Sequence, residues 1–178
     1  MGERIQITTN FYLDEFVDPR TYFKGVNNGF NTMDENIFII AQKLRDLYGN
    51  PIQINNWWSH YSSNKHKMTI DKLIEEIEYL NSKGRINIWS GLRTYKCKIG
   101  SRKSAHRFGM AIDPKGDEKK FMKIIRGNAE EFYSLGLRRL EDISITPGWL
   151  HMDTLERRTK PNSIRIVDLT TCTETIWI

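Results

Sequence analysis

Two five-residue segments constrain this chain most: Gly109-Met110-Ala111-Ile112-Asp113 and Trp149-Leu150-His151-Met152-Asp153. Both alternate with the period of a strand, which sends successive side chains to opposite faces. Met110 and Ile112 then share an apolar face, while Gly109, Ala111 and Asp113 share one that is bare of bulk and ends in a carboxylate. Leu150 and Met152 likewise face a core, and Trp149, His151 and Asp153 face away from it. If the two strands are neighbours, Asp113 and His151 look over one hollow. His106 stands seven residues before Asp113, a separation of ~23 Å in a fully extended chain. The chain must turn for both to reach one point, and Gly109 is the residue that allows it. Two imidazoles and a carboxylate with a fourth position left over make up the ligand set of a catalytic zinc site. A structural site closes with four protein ligands, usually rich in cysteine. Taken singly, each histidine is more often a core or surface residue than a ligand, so the expectation rests on the longer pattern around them.

The rest of the chain reads as one α+β domain spanning residues 1–178, with a central antiparallel sheet and flanking helices. At 39% hydrophobic and 28% charged residues it is neither disordered nor collagen-like nor a coiled coil. Phe11–Phe16 suggests a short helical turn with an aromatic staple. Ile37, Ile40, Ala41, Leu44 and Leu47 recur at helical spacing, predicting a helix over 33–48 that ends at Gly49-Asn50-Pro51. Ile70, Leu73, Ile74, Ile77 and Leu80 predict a second, capped by Thr69 and stopped at Lys83-Gly84. A third is expected over about 117–135. Strands are expected at Pro51–Asn55, Ile86–Trp89, Gly109–Asp113, Leu137–Ile143, Trp149–Thr154 and Ile164–Val167. Trp57–Met68 reads as a polar loop, with His60 and His66 solvated and Trp57 and Trp58 packing the core rather than stacking on sugars.

The formal charge of +5 is spread along the chain and is compatible with an anionic polymer, either nucleic acid or a bacterial wall. No recognition motif or dense Lys/Arg patch favours nucleic acid. No stretch approaches the ~20 apolar residues of a membrane helix, and the opening MGERIQITTN lacks the apolar run of a secretory peptide. Synthesis in the cytoplasm and no membrane insertion are therefore expected; a monomer is expected too, although the sequence itself does not encode the oligomeric state. Cys97 and Cys172 are too few for a disulfide framework, and two thiols or one bridge both remain open.

Ser104-Ala105-His106-Arg107-Phe108-Gly109-Met110-Ala111-Ile112-Asp113, followed by Trp149-Leu150-His151, resembles the zinc D-alanyl-D-alanine peptidase family. That family shares its fold with the hedgehog signalling domain and the vancomycin-resistance D,D-dipeptidases. Its pattern S-x-H-x-x-G-x-A-x-D, then W/V-x-H near the C-terminus, is matched position by position. Ser90-Gly91-Leu92-Arg93 looks like the S-G-x-R segment that precedes the first motif, and Phe11–Phe16 is similar to the opening of the cell-wall-hydrolase branch.

The resemblance implies that His106, Asp113 and His151 ligate Zn2+ and that Arg93 holds a carbonyl or carboxylate of the substrate, for which a permanently charged fork is suited. Asp153 and Ser104 are expected beside the ligands rather than on the metal. Many members carry the general base three residues before the last histidine, where this chain has Gly148. Glu141 and Asp142 are the replacements, and strand alternation lets at most one face the site; Glu141 is preferred for its reach. The expected activity is hydrolysis of a peptide bond in the stem or cross-bridge of peptidoglycan, on a host cell wall if the protein is phage-encoded. The alternatives are a cytoplasmic D,D-dipeptidase and a non-catalytic domain that keeps the zinc fold for binding.

Overall fold

Side-chain caps set where most of the helices begin. Asp18, Asp34, Thr69 and Asp117 each accept a backbone N–H from the first turn that follows, satisfying donors that a helix start leaves unpaired. They open α1 (Pro19–Lys24), α2 (Glu35–Tyr48), α4 (Ile70–Ser82) and α5 (Glu118–Gly127). Between α2 and α4 lies α3 (Trp58–Asn64), and α6 (Ala129–Ser134) follows α5. Gly49 closes α2 in the left-handed conformation with φ 75°, as the Gly-Asn-Pro sequence predicts. The computed structural model describes residues 3–94, 97–98, 101–156, 161–168 and 171–178.

The sheet has five strands in the order β1-β3-β2-β4-β5. Their ranges are β1 (Ala111–Ile112), β2 (Arg139–Glu141), β3 (Met152–Asp153), β4 (Ser163–Asp168) and β5 (Thr171–Trp177). The architecture is α+β, as expected, but the sheet is mixed rather than wholly antiparallel. β1–β3, β2–β3 and β4–β5 are antiparallel, whereas β2 and β4 run parallel. The chain returns to β2's free side only after β3 and a long connection, so β4 enters in β2's own direction.

Three local expectations are overturned. Pro51–Asn55 and Ile86–Trp89 are not strands. The first contributes only a bridge from Gln53 to Lys115. Side chains replace the ladder there: Asn56 Oδ1 accepts Asn87 N–H, Asn55 Oδ1 accepts Ser90 N–H, and Asn87 Nδ2 donates to Ile54 O. Asparagine offers the backbone such alternatives to a sheet. Second, the helix expected over 117–135 breaks into α5 and α6 at Asn128, which leaves helical geometry with φ −133°. Third, the Trp57–Met68 loop contains α3. Trp57 is fully buried there, its Nε1 donating to Val17 O at 2.9 Å. His60 lies 3.3 Å from Glu76, and His66 is exposed, so neither joins the other histidines. Cys97 and Cys172 are not bridged to one another. No helix among the described residues is long and apolar enough to cross a membrane.

The aromatic opening packs under the future site. Phe11 and Phe16 are buried edge to face, 5.6 Å between centroids, and Phe16 meets Phe38 of α2 in the same way. Arg4 forks onto the buried Asp14 carboxylate at 2.7 and 2.8 Å. Glu15 accepts Tyr12 N–H at 3.1 Å but is otherwise starved of water; burial pushes its carboxyl up to about 7. A carboxyl whose folded pKa exceeds its unfolded one holds a proton that the unfolded chain has released. Stability is therefore fully present below about pH 4.5 and declines as pH rises to 7, by about 3 kcal/mol from this residue. The Glu15→Gln variant is expected to flatten that slope in urea titrations between pH 4.5 and 7. An unchanged slope would remove Glu15 as its source.

Candidate metal centre

The register of the sheet gathers the site. Ala111 pairs with Asp153 and Ile112 with Met152. Leu140 pairs with Met152 on β3's other side, and Glu141 N–H donates to His151 O. Directly opposite residues share a face, so Asp113, His151 and Glu141 form one row across β1, β3 and β2. Ala111, Asp153 and Arg139 form the row beneath it. Ile112, Leu150, Met152 and Leu140 point the other way, into the core.

His106 reaches this row by a turn. Ala105–Phe108 forms one 3-10 turn that ends at Gly109, whose φ of 67° is left-handed. A Cβ at Gly109 would stand 1.8 Å from Thr32 O, so both the conformation and the space require glycine. Gly91 is constrained by space alone, since its Cβ would meet Phe16 O at 2.0 Å. That closeness lets Leu92 N–H donate to Phe16 O and leaves Gly91 O free to face His106.

The result is a buried cluster of three ligating atoms. His106 Nε2 lies 3.1 Å from Asp113 Oδ1 and 3.1 Å from His151 Nδ1, and the last two are 2.8 Å apart. Both imidazoles are pinned from behind. His106 Nδ1–H donates to Gly91 O at 2.7 Å, and His151 Nε2–H donates to Asp153 Oδ2 at 3.0 Å. With those protons committed, the atoms that converge are three lone pairs, an arrangement that requires a cation or a shared proton at their centre. The spacing suits a metal: ~2.0–2.1 Å bonds in tetrahedral geometry put ligand atoms about 3.3 Å apart, a few tenths beyond the distances here. The His106, Asp113 and His151 group can hold a metal ion.

Without a metal, the cluster distributes charge unevenly. Burial disfavours a charged His151, yet its bonds to Asp113 and Asp153 outweigh this and raise it to about 10. Burial pushes His106 down, more than Asp113 lifts it. Burial also opposes ionisation of Asp113, but the two imidazoles hold its carboxyl below the usual carboxylate range. One proton on His151 thus occupies the position a cation would take.

The other expected residues divide. Arg93 stands beside the cluster, Nη2 on Asp113 Oδ2 and Nε on Trp89 O. Two of its donor atoms are spent on the protein, so it orients Asp113, and its Nη1 has no hydrogen-bond partner among the described residues. Asp153 is wholly buried behind His151 as expected. Ser104 begins the 3-10 turn through its backbone, and its hydroxyl makes no bond to the cluster among the described residues. Glu141 is half-buried, lies across the ladder from His151, and forms no ion pair among the described residues. Asp142 lies elsewhere. Its Oδ1 accepts Ser144 N–H at 2.9 Å and its Oδ2 accepts the Thr173 hydroxyl on β5. Successive residues face opposite ways, and the turn after β2 claims the Asp142 carboxylate.

Arg139 is the residue the sequence pattern did not single out. Its Nε donates to Asp153 Oδ2 at 2.6 Å, neutralising a carboxylate that is otherwise sealed from water. Its position two before Glu141 on one strand was the available signal. The Gly91 carbonyl carries no such signal, because a backbone acceptor looks alike at every residue. Comparison of the chain with protein-family models, with curated proteins and with solved structures finds no match.

Proposed function

We propose that the protein is a zinc-dependent peptidase acting on the stem peptides or cross-links of bacterial peptidoglycan. The observation that carries this reading is the convergence of three lone pairs from His106, Asp113 and His151, with both imidazoles anchored from behind. Three protein donors leave room for water or substrate, as catalytic sites do and structural ones do not. Zinc bound there supplies Lewis acidity, bringing the pKa of water to ~7 and polarising a carbonyl.

The chain's own residues then divide the work. Glu141, across the ladder from His151 and without an ion-pair partner among the described residues, takes the proton of the attacking water and delivers it to the leaving amine. Arg93 Nη1 donates to the carbonyl oxygen as it gains charge, while Nη2 keeps Asp113 in place. Asp153 and Arg139 hold the His151 ring so that Nδ1 faces the cluster. The resemblance to D-alanyl-D-alanine peptidases supplies the substrate class, and the site supplies the reaction type.

One observation favours a second reading, a zinc-fold domain that binds without turnover. Gly148, three residues before His151, is exposed with φ 88° and offers no acid where that family often keeps one. Digestion of purified peptidoglycan, with fragments read by mass spectrometry, separates the two. New amino termini are expected to appear with zinc-loaded protein, to vanish with chelator and to return on adding zinc. Intact wall beside protein holding one zinc per chain would overturn the peptidase reading.

A further inference from the structure

The ladder that carries the metal centre continues past it. Lys115 pairs with Trp149 on one side and Gln53 on the other, and Leu150 N–H donates to Pro114 O. This is the register that sets Ala111 opposite Asp153, with no bulge between. Lys115 and Trp149 therefore lie on the face of Asp113 and His151, two residues further along, a displacement of ~7 Å. In the opposite direction that face is closed, since Ala111 and Asp153 are wholly buried. Lys115 and Trp149 are both half-buried. A substrate on the metal centre that extends along the strands in the open direction passes over them.

Their chemistry is specific. Lys115 has no carboxylate within ion-pair distance among the described residues, unlike Lys24 and Lys43, which meet Asp71 and Glu131. A half-shielded ammonium with no counter-charge is a ready partner for an anion, and an indole beside it offers a flat apolar surface. The surroundings repel cations. From Leu92 to Ile112 the sequence has no acid but contains Arg93, Lys96, Lys98, Arg102, Lys103 and Arg107. The two ends of that segment, Arg93 and His106, belong to the site, and its charge favours approach of anions.

We propose that Lys115 and Trp149 form a specificity subsite for a carboxylate-bearing residue of the substrate, next to the one whose carbonyl reacts. Lys115 pairs with the carboxylate and Trp149 packs on the aliphatic stem that carries it. This rests on the peptidase reading above.

The test uses two synthetic stem pentapeptides, identical except that the carboxylates branching from the stem are free in one and amidated in the other. Zinc-loaded wild type is expected to hydrolyse the acid form about 10- to 100-fold more efficiently, chiefly through KM. Lys115→Met lowers that ratio to about one, and Lys115→Arg restores most of it. A second readout needs no turnover: the Trp149 indole N–H resonance, assigned by its loss in Trp149→Phe, shifts on adding the acid peptide to metal-free protein, and Lys115→Met abolishes the shift. Equal hydrolysis of both peptides by wild type, or a preference that survives in Lys115→Met, would refute the subsite while leaving the peptidase intact. An acid-selective, Lys115-dependent shift without hydrolysis of either peptide would keep the subsite and overturn the peptidase.

Discussion

Asp113→Ala is expected to strip the protein of its metal and to cost about 3–5 kcal/mol of stability in the metal-free state. Asp113 is the one anion that both imidazoles and Arg93 share. Deleting it leaves the Arg93 guanidinium, only 13% exposed, beside the two imidazoles with no carboxylate between them to balance its charge. Removing one partner of a buried charged set leaves the others desolvated and uncompensated, which is why the loss exceeds that of a surface pair. Metal is lost for a separate reason: the anionic ligand is gone, and the Arg93 guanidinium, no longer neutralised by it, repels a dication held by two imidazoles alone. Elemental analysis should fall from one metal per chain to near zero, and urea denaturation of the chelated proteins should show the stability difference. Wild-type metal content in Asp113→Ala would overturn the ligand assignment. An unchanged urea midpoint would overturn the charge argument but not the ligand.

Glu141→Gln is expected to keep the metal and reduce turnover by 10²–10⁴-fold. The range is that of a positioned general base, and the amide preserves size and the β2 backbone bond to His151 O. Asp142→Asn is the contrast. Its carboxylate belongs to the Ser144 turn and Thr173, so turnover should stay within about twofold. Measuring kcat and bound zinc on the same samples separates loss of the base from loss of the site. Full activity in Glu141→Gln would return the base to Asp142 or to a group outside both.

The legible parts of this protein were those in which side-chain type and backbone period agree. Alternation in 109–113 and 149–153 placed Asp113, His151 and Asp153 on one face, and the register bears this out. Helix starts at Asp34 and Thr69 were equally open, because a cap is a local bond between neighbours in sequence. What stayed hidden was non-local or made by the backbone. The parallel pairing of β4 on β2 depends on a connection whose path no local pattern encodes. The apolar alternation of Ile86–Trp89 resembles a strand, yet Asn55, Asn56 and Asn87 take its bonds from across the fold. Arg139 was visible as a charge on a strand, but its partner is a carboxylate fourteen residues later.

The tether between Gly91 and Phe16 bears on how the protein is made. Phe16 O holds Leu92, the Gly91 carbonyl holds His106, and the remaining donors come from Asp113 and His151. Contacts this distant in sequence close late, after the loops between them have lost their freedom. A ribosome-bound chain that ends before His151 has isolated imidazoles and no cage, so it cannot capture a cation as it emerges. Assembly of the cation site then follows folding instead of directing it, and a chain still short of His151 carries no such site.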